Sequence, residues 1–241
     1  MNHGRANWRA LSPLIMTYTL RKGLHYCCVG GQIVFMDLRS DAYFLLKGAA
    51  EKAFRAYLAD GHVPNDDLQR LLAHGLLAES DVPSIEMHRP CLPVPLRSAS
   101  ELAPPRTEAG LAIILEVAQL VYATRRRLRT RNIGEVLEEH LACCRVTERT
   151  CEAAQEARDV QGLTHVAGQY RAARRFVPVE TSCLLDSLAL RRFLARRGHE
   201  VSLVFGVNAE PFSAHAWLQL SDLALNETVS YARMHTPILV L

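Results

Sequence analysis

Apolar residues in the first 80 positions change from a strand-like to a helical spacing. Short segments rich in aromatic and β-branched residues predict strands at 17–20, 24–28, 33–36 and 43–46. The Gly30-Gly31 pair, between the second and third of them, suits a tight hairpin turn with positive φ. Helical periodicity follows over 47–58 and 65–73. We therefore predict a small domain of sheet plus helices over residues 1–80.

Prolines interrupt this pattern in the middle of the chain. The segment from residue 80 to 107 holds six of the eleven prolines, which argues against a helix or a central strand there. We predict an extended linker over residues 81–108.

Hydrophobic periodicity resumes after the linker. Apolar spacing typical of helices covers 109–130, 133–144 and 150–174, and a further helix is predicted over 183–197, closed by Gly198. Strand character then follows over 200–207, 214–220 and 223–228. Helices first and an antiparallel sheet afterwards predict an α+β fold for residues 109–241.

Composition narrows the possible classes of protein. The chain has 49% hydrophobic and 22% charged residues, as folded globular proteins do. A net charge of +3 does not argue for nucleic acid, and basic runs such as 125–131 and 171–175 are expected to be solvated helix ends. Because no segment approaches the ~20 apolar residues of a membrane span and no export signal is visible, we expect a cytoplasmic protein.

The seven cysteines are an odd number in a chain without an export signal, so a disulfide framework is not expected. Cys143, Cys144 and Cys151, with His140 nearby, could be considered as zinc ligands, but no Cys-x-x-Cys pair is present. We expect buried free cysteines, and neither a metal nor a cofactor.

Cys183 lies where a loop meets the predicted helix 183–197. Thr181 or Ser182 is a suitable N-cap, and Asp186 adds a pattern close to a capping box. In the first helical turn, unpaired N–H groups and the helix dipole favour an anion, which lowers the pKa of a thiol. The same N–H groups can supply part of an oxyanion hole. Alone, such a cysteine would more often be a small apolar residue at a helix start.

His215 follows about thirty residues later, on the first strand of a predicted hairpin. It shares a strand face with Trp217 and Gln219. A histidine there can point at the helix start, take the thiol proton and return it to a leaving amine. A lone strand histidine is usually structural, but a helix-start cysteine followed by a strand histidine is much less common.

The segment from Thr181 to Glu227 resembles the transglutaminase-like peptidase fold, in which a helix-borne cysteine precedes a His-Ala-Trp strand and an acidic residue. The whole chain is similar to the B protein of lasso-peptide biosynthesis in its fused form. This similarity is carried by the run Cys-Leu-Leu-Asp-Ser-Leu-Ala-Leu from Cys183, the Arg-Gly-His helix end at 197–199 and the His-Ala-Trp strand. The signature from Val34 to Tyr43 extends it to the N-terminal part.

The resemblance implies a fold and a function for each part. It implies a transglutaminase-like (papain-like) α+β domain that removes the leader from a ribosomally made precursor. It also implies a winged-helix-like recognition domain, which binds the leader as an added strand. The substrate-binding edge would lie on the strand of Ile33, Val34, Phe35 and Met36, continued by Asp37, Leu38 and Tyr43. The partners would be the precursor peptide and a separate, asparagine-synthetase-like, ATP-using cyclase.

The acid that orients the histidine is the departure from the family pattern. The family has an aspartate on the strand after His-Ala-Trp, whereas this chain has Asn226 and Glu227. A three-residue connection would point Glu227 at His215, and a two-residue turn would place Asn226 on the histidine face. Either side chain could accept the ring N–H. We favour Glu227 and expect Asp222 to lie in the turn.

Three other functions use the same features. The C-terminal part could be a catalytically inactive scaffold that only binds peptide. The Cys183–His215 pair could also serve an acyl transferase, because an amine can intercept the acyl-enzyme instead of water. A DNA-binding winged-helix regulator would require a salt-dependent affinity for duplex DNA, which we do not expect.

Overall fold

The computed structural model describes residues 17–61, 63–80, 92–102, 109–143 and 153–241. The N-terminal part combines short antiparallel strands with two helices. In chain order, these elements are β1 (Thr17–Leu20), β2 (Leu24–Val29), β3 (Gln32–Asp37), β4 (Ala42–Leu45), α1 (Gly48–Asp60), α2 (Asn65–Ala73) and β5 (Leu77–Ser80).

Strands β2, β3 and β4 form an antiparallel sheet in that order, and β1 pairs with β5. The turn between β2 and β3 is Gly30-Gly31, with φ of 56° and 76°. Both positive values match the two-residue hairpin turn that the sequence predicts. Strand β3 lies between β2 and β4, so its predicted position at a free sheet edge is wrong. Among the described residues, the edge of the sheet next to β3 along the chain belongs to β4, which has β3 as its strand neighbour there.

The β2–β3–β4 sheet is covered on both faces. Ile33 and Phe35 face a core formed with α1 and α2, whereas Val34 and Met36 face the core of the C-terminal part. Because side chains alternate along a strand, two buried faces require a continuous apolar run, and Ile33 to Met36 is such a run. The N-terminal sheet therefore shares a hydrophobic core with the residues that follow the proline-rich segment.

The C-terminal part has helices packed against a five-stranded sheet. Its elements are β6 (Arg97–Ser98), α3 (Ala99–Leu102), α4 (Leu111–Thr130), α5 (Ile133–Cys143), α6 (Ala153–Arg174), α7 (Cys183–Ala195), β7 (Ser202–Ala209), β8 (Phe212–Leu220), β9 (Leu223–Ala224), α8 (Val229–Arg233) and β10 (Thr236–Val240). The strand order is β10-β7-β8-β9-β6. All neighbours are antiparallel except β6 and β9.

Helix α7 lies at the centre of this part. Residues on most of its circumference are buried, including Leu188, Phe193 and Leu194, and it packs against α4, α6 and β8. A helix that is apolar all round is stable only when neighbours cover it. Packing on three sides therefore fixes the start of α7, where Cys183 lies.

The proline-rich segment adds the short strand β6 to the C-terminal sheet. Strand β6 forms its edge, and the backbone N–H groups of Leu96 and Arg97 donate to the carbonyl of Asp222. Proline is tolerated at a sheet edge, and the strand itself contains none. The short helix α3 was not expected in this segment. No helix among the described residues is long and apolar enough to cross a membrane.

Candidate active site

The loop before α7 is held by a partly buried ion pair. Arg174 Nε lies 2.5 Å from Asp186 Oδ1, and the other Arg174 nitrogens donate to the carbonyls of Val177, Val179 and Glu180. Asp186 also accepts the N–H of Ser182 at 3.1 Å. The sequence placed Arg174 in a solvated basic run, but its side chain is only 9% exposed. These bonds fix the backbone just before Cys183.

Cys183 is the first residue of α7, after Ser182 in extended conformation. Asp186 forms the acidic half of the expected capping arrangement, four residues after Ser182. The Ser182 side chain makes no capping bond to the described residues. The Ser182 side chain therefore does not occupy an N–H group of the first turn of α7, and the N–H of Leu184 in this turn bonds to the Cys183 sulfur.

His215 lies on β8 between Cys183 and Glu227. Its Nε2 atom is 2.8 Å from Oε2 of Glu227, so Nδ1 is the nitrogen left for the thiol. The His215–Glu227 contact is an ion pair, because the Nε2–H bond of His215 does not point straight at the carboxylate oxygen. The structure thus brings together the three residues that the sequence singled out.

The pKa values of this group change in the directions of a thiolate–imidazolium pair. The hydrogen bond from His215 lowers the pKa of Cys183, against burial, and backbone bonds from Ala216 and Leu184 add to it. Burial would lower the pKa of His215, but Cys183 and Glu227 together raise it to about 9. Burial would raise the pKa of Glu227, and the His215 contact lowers it. Each charge is therefore stabilised by its neighbour.

Aromatic rings enclose the outer side of His215. The Trp217 ring is nearly parallel to it at 6.0 Å, and the Tyr231 ring stands edge-on at 4.9 Å. His235 lies 5.3 Å away, where Nδ1 donates to the Tyr231 carbonyl and Nε2 faces Ser213 Oγ at 3.1 Å. The sequence did not single out Tyr231 or His235, because both follow the strand pattern in a short helix and a loop. These rings limit the imidazole to a narrow range of orientations.

Asn226 and Asp222 have other roles than orienting His215. The β8–β9 pairing has the two-residue turn, not the three-residue connection linked to Glu227. Asn226 nevertheless accepts the N–H of Leu218 and donates to Ser187 Oγ, which connects β8 to α7. Asp222 lies in the turn, as expected, and pairs with Arg97.

An open cavity of about 330 Å³ lies beside the thiol. Cys183, His215 and Glu227 form one side of it. The remaining wall consists mainly of polar residues, among them Ser100, Arg171, Thr181 and Asn226. A cavity of this size can admit an extended segment of chain next to the nucleophile.

The residues predicted to bind substrate occupy different places. Ile33, Val34, Phe35 and Met36 are at most 3% exposed and belong to the cores. Asp37 closes the β3–β4 turn by accepting bonds from Arg21, Arg39 and Ser40, and Leu38 packs towards the C-terminal part. Tyr43 is the member of this set that lies on the edge strand β4. Its ring contacts Phe212, at the start of β8, at a centroid distance of 5.8 Å.

A groove of about 590 Å³ lies between β4 and the two N-terminal helices. It is lined by Phe44, Leu45, Leu46, Lys47, Ala49, Ala50, Arg70 and His74. The sequence pattern missed this groove because its residues come from a strand end and two helices, and no single motif contains them.

The suggested zinc cluster lies partly outside the described residues. Cys144 and Cys151 lie outside the described residues. His140 is buried, and burial, with the nearby arginines, lowers its pKa to about 3. Among the described residues, no group of three or more potential ligands could hold a metal ion.

The fold and the site define an α+β protein with a cysteine–histidine–glutamate group at a helix N-terminus. The family model described as transglutaminase-like superfamily matches residues 120–240, half of the chain, and the chain belongs to this superfamily. The match includes Cys183, His215 and Glu227. The comparison with curated proteins and the comparison with solved structures gave no significant match.

Proposed function

We propose that the chain is a cysteine peptidase that removes the leader from a ribosomally made precursor of the lasso-peptide type. The observation that carries the proposal is the group of Cys183, His215 and Glu227, in which the pKa of the thiol is lowered and that of the imidazole is raised. These are the properties that a nucleophile and its proton donor require.

Cleavage would follow the two steps of a thiol peptidase. The Cys183 thiolate attacks the carbonyl carbon of the scissile amide, and N–H groups of the first turn of α7 stabilise the oxyanion. Protonated His215 gives its proton to the leaving amine, which leaves a thioester on Cys183. Neutral His215 then takes a proton from water, the resulting hydroxide attacks the thioester, and the thiolate is released with a carboxylic acid.

Substrate selection would belong to the N-terminal part, which we regard as a winged-helix-like recognition element. The leader would add a strand to the free edge of β4 and place side chains in the adjoining groove. Leu45 and Leu46 favour an apolar side chain in this groove, and Lys47 favours an acidic one, whereas Arg70 is paired with Asp67. Tyr43 supports this arrangement, because β4 reaches β8 through its contact with Phe212.

The test is cleavage of the precursor encoded beside the gene, with the partner cyclase present, followed by mass spectrometry. Wild type is expected to release the leader, and Cys183→Ala to lower the rate by at least about 10⁴-fold. The exposed Cys28 is a matched control, and Cys28→Ala is expected to cleave like wild type. Equal cleavage by wild type and Cys183→Ala, or none by either, would contradict the proposal and favour the scaffold.

An acyl transferase is the second candidate, since the superfamily accommodates this activity as well as hydrolysis. The same reaction with an added primary amine separates the two. A peptidase gives mainly the free carboxylic acid of the leader, whereas a transferase gives mainly the amide. If the amide predominates, the Cys183 thioester reacts mainly with the amine, and the chain is an acyl transferase.

A further inference from the structure

Ser98 contacts the backbone of Glu227 from a segment far away in sequence. Strand β6 pairs in parallel with β9, with Ser98 opposite Ala224. The ion pair of Arg97 with Asp222 fixes the start of this pairing. Ser98 is only 1% exposed, although it lies in a segment that the sequence predicts to be a linker. A buried serine requires partners for its hydroxyl group.

The hydroxyl group of Ser98 has a complete set of partners. Its oxygen lies 2.7 Å from the carbonyl oxygen of Glu227, which can only accept, so Ser98 is the donor. The Ser98 oxygen also accepts the N–H of Ser100 at 3.1 Å. It lies 2.6 Å from Ser100 Oγ, which donates to it because the single Ser98 proton is already used. Ser98 therefore gives the short bond to the Glu227 carbonyl, and Ser100 Oγ lies farther from the same carbonyl, at 3.4 Å.

Glu227 is held at its carboxylate as well as at its backbone. Oε1 accepts the N–H of Thr228 at 2.8 Å, whereas Oε2 faces His215. Thr228 in turn caps α8 by accepting the N–H of Tyr231. Since residues 225–227 follow the end of β9, ladder bonds of that strand do not fix the Glu227 carbonyl. The hydrogen bond from Ser98 holds the Glu227 carbonyl instead of a ladder bond.

We propose that Ser98, supported by Ser100, is a positioning residue that fixes the backbone of Glu227 so that its carboxylate meets His215. The inference rests on the role proposed for Glu227, but not on cleavage of any particular peptide. Ser98 does not touch the reacting atoms. Its effect would reach the thiol only through Glu227 and His215.

Ser98→Ala is expected to remove the 2.7 Å bond to the Glu227 carbonyl, to leave only the longer contact from Ser100 Oγ at 3.4 Å, and so to let the carboxylate move. A displacement of about 1 Å at a catalytic group lowers rates by about 10- to 100-fold, and we expect a loss of kcat in this range with little change in KM. The imidazolium would be less stabilised, so the pKa of His215 would fall and that of Cys183 would rise.

The decisive readout is the pH dependence of Cys183 alkylation by iodoacetamide in the full chain, followed by peptide mass spectrometry. The inflection due to the thiol is expected to move upward by roughly half a pH unit or more in Ser98→Ala. Glu227→Gln is expected to move it in the same direction, and Ser98→Ala in the Glu227→Gln background to add nothing further. Ser202→Ala, on β7 outside the site, is the matched control and should leave the profile unchanged.

An unchanged alkylation profile in folded Ser98→Ala, or additive shifts in the double variant, would overturn the inference. If Ser98→Ala does not fold, the less buried Ser100→Ala replaces it, with a smaller shift expected in the same direction; no shift there would also overturn it. The readout needs no peptide substrate. Loss of the proposed peptidase function would appear as absent cleavage with the alkylation shifts intact, so the two failures are distinguishable.

Discussion

At the scale of single residues, the pKa values of Cys183 and His215 define the pH range of the ion pair. The thiolate forms as pH rises through the lowered pKa of Cys183, and the imidazolium is lost above the His215 pKa of about 9. The raised pKa of His215 also stabilises the fold. This contribution is fully present below the ordinary value of 6.5 and is lost as pH rises through about 9.

Glu227→Gln should therefore lower the upper pH limit of activity. Because a neutral amide stabilises the imidazolium less than a carboxylate does, the upper inflection of kcat/KM should move down from about pH 9. The maximal rate should fall on the order of 10²-fold. The measurement is the pH–rate profile of precursor cleavage. An upper inflection that stays in place would show that Glu227 does not act on His215.

Gly206 provides a steric test of the same site. It lies opposite His215 in the β7–β8 ladder, and a Cβ atom there would come within 2.7 Å of the Trp217 ring and 2.9 Å of His235 Cβ. Gly206→Ala should displace these rings, lower the free energy of unfolding by about 1–3 kcal/mol and reduce kcat by roughly tenfold or more.

Thermal or urea unfolding and cleavage assays measure both effects of Gly206→Ala. Gly110→Ala is the matched control, because a Cβ atom at Gly110 meets no atom within 4 Å among the described residues. If Gly206→Ala retained wild-type kcat, the ring positions would not control the histidine.

The choice between Asn226 and Glu227 could not be predicted from strand alternation. The sequence pattern led to both candidates, because both follow the His-Ala-Trp strand closely. Strand β9 ends at Ala224, however, so the alternation that the register argument uses no longer applies at residue 227. The turn between β8 and β9 has two residues, for which the register argument predicted Asn226 on the histidine face, yet Glu227 is the residue that contacts His215.

At the scale of elements, β4 is the strand on which peptide recognition would depend. Its neighbour β3 is buried on both faces and hydrogen-bonded on both sides, whereas β4 has a partner on one side within the part of the chain that the structure describes. An edge strand with an adjoining groove is the arrangement that accepts an added strand.

Leu45→Lys should weaken recognition of the leader without affecting catalysis. Leu45 is 37% exposed at the groove, where the bound leader would cover it. Replacing this apolar contact with a charge should raise KM for the full precursor about tenfold. The value of kcat at saturation, and cleavage of a short peptide lacking the leader, should be unchanged. Leu115→Lys, on α4, is the control. If cleavage of the full precursor and of the short peptide changed equally, Leu45 would not take part in binding the leader.

Long periodic elements could be predicted from the sequence, and short ones could not. Helices α2 and α4 and strands β2, β7 and β8 lie within a few residues of the predicted ranges, because their hydrophobic spacing extends over several residues. Strand β6, with two residues, and helix α8, with five, are too short to show a period. Strand β10 contains Pro237 and a register shift, both of which obscure a strand pattern.

At the scale of the whole molecule, the N-terminal sheet connects the two halves of the chain. Strand β2 packs against β10, and Asn132 of the C-terminal part donates to the carbonyl of Arg39 at 2.5 Å. The β2–β3 turn also contacts the β7–β8 hairpin, where Gly30 lies close to Ala209. The division at residues 81–108 remains a prediction, but the cores on either side of it meet at this sheet.

Met36→Ala should accordingly destabilise the molecule as one unit. Met36 is 3% exposed and faces the C-terminal core, so truncation should lower the free energy of unfolding by about 2–4 kcal/mol. Circular dichroism and tryptophan fluorescence in urea should show one shared transition for wild type and variant. The exposed Lys52→Ala is the control. Two separate transitions would contradict a common core.

The packing of the N-terminal sheet on both faces has a consequence for how a cut position is chosen. A substrate peptide bound along β4 would extend towards Cys183 from a fixed position. The number of residues between the segment bound at β4 and Cys183 would then select the scissile bond. Lengthening the spacer in a substrate would shift the cut along it, whatever side chains flank the new position.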